Sequence, residues 1–271
     1  MAIITVSRGT FSGGKILAER LAERLGYPCF SREEIMQDAA KSFGISENEL
    51  SSAINEPPPF WQEVPGKRIA YLKCLTAVLL DKVESGNLVY HGHVGHLLLG
   101  DISRILRIRV IADMEFRVTA CMERLKMGRE EAIAYIRKVD HERDRWTRFL
   151  YGVDWQNAAN YDIVLNLERM SLEGACETVV RIVELDDFKP TAESKKILED
   201  LALSSRVWIT LAKDPRTKAS FVKVQADSGK VTINGNVASE AVMDAIPVVA
   251  KEVKGVLSVE SDVGMGSDWY W

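Results

Sequence analysis

Residues 2–26, AIITVSRGTFSGGKILAERLAERLG, decide the fold of this chain. The short β-branched and apolar run Ala2–Val6 predicts a strand, and a loop rich in glycine and serine follows it. Lys15–Leu25 has the apolar spacing of a helix, and Gly26 ends it, since glycine adopts the left-handed conformation of a helix C-cap at little cost. The stretch is therefore predicted to form a strand, a glycine loop and a helix.

The glycine loop fits a phosphate-binding pattern. Gly9–Lys15 contains a glycine, four residues, a glycine and a lysine, between a predicted strand and a predicted helix. In such a loop the backbone N–H groups form one cup, the helix adds the positive end of its dipole, and the lysine adds a point charge. Ile16 departs from the pattern, because a Ser or Thr hydroxyl would hold Mg²⁺ there. We predict that phosphate is bound by Gly9, Thr10, Phe11, Ser12, Gly13, Gly14, Lys15 and Ile16. The alternative is a tight glycine turn that only packs.

Further strands and helices alternate along the next 160 or so residues. The predicted strands are Leu88–His91, Arg107–Ala112 and Ile163–Leu165. The predicted helices are Arg32–Phe43, Lys67–Glu84, Glu115–Lys126, Arg129–Asp144 and Leu172–Glu184. This alternation predicts an α/β fold, a mostly parallel sheet with helices on both faces.

The pattern changes near Asp186, where a short polar connector carries a proline. The elements predicted beyond it are Ala192–Ala212, Phe221–Gln225, Lys230–Asn234, Ser239–Val253 and Val256–Val263. Their order of helix, strand, strand, helix and strand predicts a small α+β domain that is large enough to own a core. We therefore expect a first domain over residues 1–187, a second over 190–266 and a tail over 267–271.

The composition is that of a globular protein, with 271 residues, 46% hydrophobic and 27% charged. The net charge of -4 disfavours a chain that coats nucleic acid. The four cysteines lie far apart in the sequence, so we expect reduced thiols. No apolar run approaches the ~18–20 residues of a bilayer span, and no basic segment typical of a signal peptide is present. These features predict a cytoplasmic protein.

Five segments, taken in order, resemble the cytidylate kinase-like branch of the nucleoside monophosphate kinases. They are ITVSRGTFSGGKILAERLAERLGYPCFSREEI, LVYHGHVGHLLL, RIRVIADMEFRVTACMERL, IRKVDHERDRWTRFLYGVDW and YDIVLNLERMSLE, and they fall within residues 2–184. The resemblance implies a P-loop core, a segment that holds the acceptor nucleotide, and a lid that carries arginines. It also implies transfer of the γ-phosphoryl group of ATP, with Mg²⁺, to a pyrimidine monophosphate such as CMP or dCMP.

Charged side chains crowd residues 137–148, which we call the lid stretch. Its basic residues are Arg137, Lys138, Arg143, Arg145 and Arg148, and its acidic residues include Asp140, Glu142 and Asp144. The residues alone fit two interpretations: a solvated helix with intrahelical ion pairs, or cations that surround a transferring phosphoryl group. Residues 140–143, DHER, resemble the Asp-x-x-Arg lid element of the family. The predicted catalytic residues are therefore Lys15, Arg137 and Arg143.

Two more residues are predicted to bind nucleotide. Arg117 follows a strand end and begins a helix, and it resembles the nucleotide-side arginine of the family. An exposed helix arginine is its alternative interpretation. Asn166 follows the strand YDIVL, near the loop that usually borders the donor base, and helix entry explains it equally well.

The acceptor side departs from the family pattern at two positions. Gly92 is followed by His93 where the family often has Gly-Arg, and Ser31 stands where an aspartate is frequent. Ser31, Arg32 and His93 are the predicted acceptor-side residues. Because both changes remove charge, they suggest either an acceptor other than CMP or a weak acceptor site.

Histidines and aromatic residues near this region have competing interpretations. His91, His93 and His96 have the spacing of a zinc site only in part, and no Cys, Asp or Glu completes the set nearby, so we predict no metal site. Contact of His93 with an acceptor phosphate and packing at a strand end both remain open. Phe60 and Trp61 follow three prolines and suit either base stacking or the anchoring of a loop.

The second domain resembles a BON domain, a module named for bacterial osmotic and nodulation proteins. The resemblance rests on RVWITLAKDPRTK, VKVQADSGKVTINGNVASE and AIPVVAKEVKGVLSVESDV, over about residues 192–264. Elsewhere this module is associated with envelopes and phospholipid surfaces. Residues 190–271 contain 10 Lys plus Arg and 11 Asp plus Glu, which gives no polybasic membrane signal. We expect a module for a small ligand, a protein or a lipid, without chemistry of its own, and oligomerisation stays open.

Two functions from different classes follow. The first is an ATP-dependent nucleotide kinase with a regulatory domain, favoured by Lys15 and the arginines of the lid stretch. The second is an ATP-binding sensor whose acceptor site has decayed, favoured by Ile16, Ser31 and His93.

Overall fold

The computed structural model describes residues 2–55, 65–84, 86–92, 95–100, 102, 105–217 and 221–266. By their contacts these residues form two compact units. The first unit contains the described residues up to 55 and those from 86 to 190. The second contains residues 65–84 and the described residues from 191 onward. The predicted tail, Phe60, Trp61 and His93 lie outside the described residues.

The first unit is built on five strands: β1 (Ile3–Arg8), β2 (Cys29–Ser31), β3 (Leu88–Gly92), β4 (Ile105–Ile111) and β5 (Ile163–Asn166). Up to β3 the helices of the chain are α1 (Gly14–Leu25), α2 (Arg32–Phe43), α3 (Glu47–Asn55) and α4 (Pro65–Glu84). Beyond β3 the first unit has α5 (Gly95–Leu99), α6 (Met114–Leu125), α7 (Arg129–Tyr151) and α8 (Leu172–Val183). Of these helices, only α4 groups with the second unit.

The five strands form one parallel sheet in the order β2-β3-β1-β4-β5, so the predicted α/β fold is confirmed. Helices α1 and α8 cover one face, where Ile4 and Val6 of β1 pack with Leu17, Leu21 and Val179. Helix α5 contacts β1 and β3. Because β1 is central, its carboxyl end delivers the glycine loop to the middle of the sheet edge, where α/β proteins bind ligands.

The structure differs from the sequence prediction in three short elements and one long one. Strand β2 and helices α3 and α5 were not predicted, since segments of three to nine residues carry little periodicity. Helix α7 was predicted to end at Asp144 and continues to Tyr151. No glycine or proline interrupts it before Gly152, whose φ of 64° forms the C-cap.

The second unit has the predicted order of elements. These are α9 (Ala192–Lys213), β6 (Phe221–Asp227), β7 (Lys230–Val237), α10 (Glu240–Lys251) and β8 (Ser258–Met265). Strand β7 is central, antiparallel to β6 and parallel to β8. The centre of its core is formed by side chains that are fully buried: Val207, Val231, Ile233, Ile246 and Val249. This small α+β unit owns a core, as the sequence predicts.

Helix α4 differs in its assignment from the prediction, which placed it in the first domain. Its main contacts are with α9, and it groups with the second unit. Leu75, Leu79 and Val83 are among its buried side chains, and Tyr71 and Cys74 are buried as well. A helix that is apolar on several sides needs a packing partner, and α9 provides one. Among the described residues, no helix combines the length and the apolarity needed to cross a bilayer.

Candidate active site

The glycine loop connects β1 to α1 in a shape that two of its glycines permit. Gly13 has a φ of 87°, in the left-handed region that favours glycine. A Cβ at Gly13 would also lie 2.9 Å from Leu167 Cδ1. At Gly14 a Cβ would lie 2.6 Å from Arg8 Cβ, closer than carbon atoms approach without a shift of the chain. Neither glycine can be replaced without moving its neighbours.

Ser12 ties the loop to the neighbouring strand β4. Its hydroxyl lies 3.0 Å from the carbonyl oxygen of Gly9 and 3.2 Å from that of Val110, and the side chain is buried. The Gly9 N–H also donates to the Val110 oxygen at 3.4 Å. The loop is therefore held in place before any ligand binds, which lowers the entropic cost of binding.

Helix α1 begins with free backbone donors. Its N-cap, Gly13, offers no side-chain hydrogen bond, and its first turn has no acidic residue. The N–H groups of Gly14, Lys15 and Ile16 precede the first hydrogen bond of the helix, donated by the Leu17 N–H to the Gly13 oxygen at 3.1 Å. Unpaired N–H groups and the helix dipole favour an anion at this end. The helix start therefore has the properties of a phosphate site.

Lys15 adds a positive charge beside these donors. Its ammonium group lies 3.6 Å from the Glu19 carboxylate, one helical turn away, and its side chain is 44% exposed. An exposed pair of this kind is weak, so the ammonium group can exchange this carboxylate for a phosphate at little cost. Lys15 also lines the cavity described below.

Three residues from helices α6 and α7 meet on Thr10, the second residue of the loop. The backbone N–H of Thr10 donates to Asp140 Oδ1 at 3.1 Å, and its hydroxyl donates to the same oxygen at 2.7 Å. Arg117 Nε donates to the Thr10 carbonyl oxygen at 2.7 Å, and its guanidinium also pairs with Asp140. Arg143 donates to the Thr10 hydroxyl at 2.9 Å. The lid stretch and α6 are thus docked on the glycine loop.

Electrostatics at this cluster are dominated by Arg143. Burial, with repulsion from Arg8 and Arg32, lowers the pKa of Arg143 to about 10, so the guanidinium stays protonated at neutral pH. The Asp140 carboxylate lies 3.9 Å from Arg143 and opposes the shift. The site therefore holds a charged, partly desolvated arginine in a fixed position, as stabilisation of a transferring phosphoryl group requires.

An apolar contact also fastens the loop to α6 and α7. Phe11 packs against the small core of Val118, Cys121 and Ile136 that joins these two helices. Its ring centroid lies 6.3 Å from that of Tyr135. Phe11 adopts a φ of 61°, which is uncommon for a residue with a side chain, and this apolar packing offsets the strain. Phe11 and Tyr135 both line the cavity as well.

A cavity of about 670 Å³ opens against the loop. Its basic lining residues are Arg8, Lys15, Arg124 and Arg143, and its acidic ones are Glu33 and Glu123. A volume of this size is typical of sites for small ligands. The excess of positive charge and the free helix N-terminus select an anionic ligand.

The structure gives two of the predicted acceptor-side residues defined places. Ser31 is the N-cap of α2: its hydroxyl accepts from the Glu34 N–H at 3.1 Å and donates to the Glu34 carboxylate at 2.7 Å. This capping box engages the hydroxyl both as a donor and as an acceptor. Arg32 packs against Gly92, where a Cβ would lie 2.7 Å from Arg32 Cβ. His93 lies outside the described residues.

Arg137 and Asn166 are among the predicted residues that do not line the cavity. Arg137 is exposed on α7, and its role stays a prediction. Asn166 ends β5, and its side-chain oxygen accepts from the Glu168 N–H at 3.1 Å, which turns the chain after the strand. Arg117 does not line the cavity either, but it is held on the loop and has a side chain only 13% exposed, so it is not a free helix arginine.

The sequence did not single out every residue that lines the site. Arg8, Glu33 and Tyr135 line the cavity and were missed. For Arg8 a signal exists, since it is the one charged residue of strand β1 and directly precedes the glycine loop. For Glu33 and Tyr135 no local pattern distinguishes them from other residues on exposed helix faces.

The described residues contain no group of three or more His, Cys, Asp or Glu that could hold a metal ion. Ile16 carries no oxygen, and its side chain is 58% exposed where the loop pattern has a hydroxyl ligand. His91 is buried in β3, and burial, with repulsion from Arg8, lowers its pKa, so it is neutral at pH 7. The loop therefore does not provide a resident Mg²⁺ site by the usual hydroxyl.

The parallel sheet, the glycine loop at its central strand and the uncapped helix with its lysine define a P-loop protein of the α/β class. The family model "Cytidylate kinase-like family" matches residues 3–169, and the chain belongs to this family. A second model, that of the BON domain, matches residues 199–265. The resemblances predicted from sequence are therefore confirmed.

Relatives named cytidylate kinase match about two thirds of the chain. The cytidylate kinase of Ignicoccus hospitalis is 25% identical over 185 residues, which cover 68% of this chain and 99% of the relative. The cytidylate kinase of Staphylothermus marinus is 27% identical over 187 residues, covering 68% and 97%. Among solved structures, an uncharacterized protein from Eubacterium ventriosum has a TM-score of 0.50 at 20% identity, over 68% of this chain and 99% of that one. This structural likeness shows the fold alone.

Proposed function

We propose that the chain transfers the γ-phosphoryl group of ATP to a nucleoside monophosphate, CMP or dCMP being the favoured acceptors. One observation carries the proposal: the free N-terminus of α1 and Lys15 face the same cavity as Arg143, which Thr10 holds at 2.9 Å. Phosphoryl transfer depends mainly on positioning and on cations around the transferring group. Membership of the cytidylate kinase-like family supports the same reaction.

Each part of the site has a role in this proposal. The N–H groups of Gly14, Lys15 and Ile16 hold the phosphates of ATP, and the Lys15 ammonium group neutralises the terminal ones. Arg143 meets the charge that develops on the transferring phosphoryl group. Asp140 does not touch substrate; it positions Arg117 and Arg143 on Thr10. The substrate is MgATP, whose ion arrives on the phosphates with its water ligands, because Ile16 offers it no oxygen.

The proposal is tested by ADP formation from MgATP with each nucleoside monophosphate and deoxymonophosphate in turn. We expect turnover that depends on the acceptor and is strongest with CMP or dCMP. ATP alone, without acceptor, is the blank that measures background hydrolysis. Binding of ATP without acceptor-dependent turnover for any monophosphate would contradict the kinase.

A second candidate, an ATP-binding sensor, is favoured by the acceptor side and by Ile16. The Ser31 hydroxyl is engaged as a helix cap and carries no charge, and position 16 supplies no hydroxyl. Such a protein would bind ATP and change its second unit's ligand affinity without turnover. The acceptor assay separates the two functions, since only the kinase produces ADP in proportion to acceptor.

Replacing Ile16 by Thr is expected to lower the Mg²⁺ concentration that gives half-maximal activity by roughly fivefold, equivalent to about 1 kcal/mol for one added polar contact. The reason is that Ile16 is 58% exposed at the start of α1, where a hydroxyl could join the water ligands of the ion. The measurement is the initial rate against free Mg²⁺ at saturating ATP.

The matched control for this variant is Ile16→Val, which has the shape of threonine without its hydroxyl. We expect Ile16→Val to leave the Mg²⁺ dependence of the wild type unchanged. If both variants moved it equally, side-chain volume would be the cause, and the hydroxyl would have no part in holding the ion.

The BON domain has a regulatory or ligand-binding role in this proposal, and its ligand is a small molecule, a protein or a lipid. Its match to residues 199–265 and its separate core support an independent module. We place the activity in the cytoplasm, where ATP and nucleoside monophosphates are available.

A further inference from the structure

Arg8 is an arginine of the cavity, next to the glycine loop, that forms no ion pair with any described residue. It is the last residue of β1, and its side chain lines the cavity. Among the described residues, no carboxylate forms an ion pair with its guanidinium, and its buried Nε has no hydrogen-bond partner. By contrast, Arg117 pairs with Asp140, and Arg143 donates to Thr10.

A half-buried cation without an ion-pair partner is less well solvated than one in water, which is unfavourable for the free protein. Burial is the main cause that lowers the pKa of Arg8, and repulsion by Arg124 and Arg32 adds to it, while Glu33 opposes the shift from a distance. Gly14 makes room for this side chain, since a Cβ there would lie 2.6 Å from Arg8 Cβ and 3.0 Å from Arg8 Cδ. An arginine kept in such surroundings is stabilised when an anion binds, because a guanidinium matches phosphate and carboxylate oxygens.

The position of Arg8 indicates which anion it meets. Lys15 and the N–H groups of α1 lie where the loop turns into the helix, and they take the phosphates of ATP in the proposed function. Arg8 precedes the loop, and it interacts electrostatically with Arg32 and Glu33, which begin α2 directly after Ser31. Ser31 and Arg32, at the start of α2, are also predicted acceptor-side residues. A second phosphate, on the acceptor, therefore fits Arg8.

We propose that Arg8 binds the phosphate group of the acceptor and thereby selects phosphomonoesters over unphosphorylated nucleosides. This inference rests on the proposed kinase function. Arg8 would also supply the positive charge that is absent from Gly92-His93, where the family often has Gly-Arg. No contact from His93 is required.

The test uses the full chain saturated with a nonhydrolysable ATP analogue, so that the loop is filled. Calorimetry then measures the binding of inorganic phosphate, CMP and cytidine to wild type, Arg8→Met and Arg8→Lys. We expect Arg8→Met to weaken phosphate and CMP binding by about 10- to 100-fold, as for loss of a hydrogen-bonded charge, and Arg8→Lys to lose less. Cytidine binding and the affinity for the ATP analogue should change by less than about threefold.

A thermal measurement separates binding from a structural role. In phosphate-free buffer the melting temperature of Arg8→Met should equal or exceed that of the wild type, because the variant removes a half-buried charge that forms no ion pair with a described residue. Added phosphate should raise the melting temperature of the wild type more than that of Arg8→Met. Arg20→Met, an exposed arginine of α1 that pairs with Glu23, is the matched control and should behave as the wild type in both assays.

Different results overturn the two proposals. If the affinity for the ATP analogue falls as much as that for CMP, Arg8 contacts the donor phosphates and the inference fails. A melting temperature of Arg8→Met well below the wild type would also contradict it, since the arginine would then be structural. Arg8-dependent phosphate binding without acceptor-dependent turnover would support the anion site and overturn the kinase instead.

Discussion

Replacing Lys15 by Ala is expected to lower the turnover number for acceptor-dependent ADP formation by about 10²–10³-fold, the usual loss for one preorganised electrostatic contact in the transition state. The loss of ATP affinity should be smaller, about tenfold, because the ammonium group is 44% exposed and has Glu19 as a competing partner in the free protein. Initial rates give the first quantity, and calorimetry with a nonhydrolysable ATP analogue gives the second.

The matched control for Lys15→Ala is Lys189→Ala. Lys189 is an exposed lysine with an acidic neighbour, Asp186, in the connector beyond α8, and it lines no part of the cavity. This variant should retain the activity of the wild type. Unchanged turnover in Lys15→Ala, at equal melting temperature, would remove the phosphate-binding assignment of the loop, and with it the central step of the proposed reaction.

The strand, loop and helix around Lys15 were predictable because their signals are local. A β-branched run, two close glycines and an apolar repeat each lie within one element, and β1 and α1 start or end within two residues of their predicted bounds. The starts of helices α2 and α9 were predicted equally well. Ser31 and Thr191 are their N-caps, and an N-cap serine or threonine can be recognised in the sequence. Local rules and the fold agree at these places.

The contacts that build the candidate site are not local. Asp140 meets Thr10 across 130 positions of the chain, and Arg117 meets it across 107. Periodicity assigned Asp140 to a charged helix but carried no information about which loop that helix touches. Helix α4 presents the same difficulty, because its apolar residues predict that it is buried but do not indicate that α9 is its packing partner.

Ser31 shows that one residue can carry two local signals. It was singled out as a lost acceptor charge, while the sequence Ser31-Arg32-Glu33-Glu34 already contained a capping box. In the structure both hydrogen bonds of that box are present, so the residue has a sufficient structural reason. Arg8 bears on the other departure, the positive charge that Gly92-His93 lacks, and it comes from strand β1.

Replacing Arg143 by Ala is expected to lower the turnover number by about 10²-fold, while the affinity for ATP changes by less than about threefold. Arg143 is held at 2.9 Å from the Thr10 hydroxyl, with the Asp140 carboxylate 3.9 Å away, so its position is set before substrate binds. A fixed cation is worth most where charge develops, that is, in the transition state rather than in bound ATP. The measurement compares kcat with the dissociation constant of a nonhydrolysable ATP analogue.

Arg145→Ala is the matched control, since Arg145 lies on the same helix α7 but is exposed and does not line the cavity. It should leave kcat and ATP affinity unchanged. Guanidinium ion added at millimolar concentration should restore part of the activity of Arg143→Ala and none to Lys15→Ala, because only the former leaves a space of guanidinium shape beside Thr10. Equal losses of rate and affinity, without such rescue, would make Arg143 a binding residue and leave the transition state to Lys15 alone.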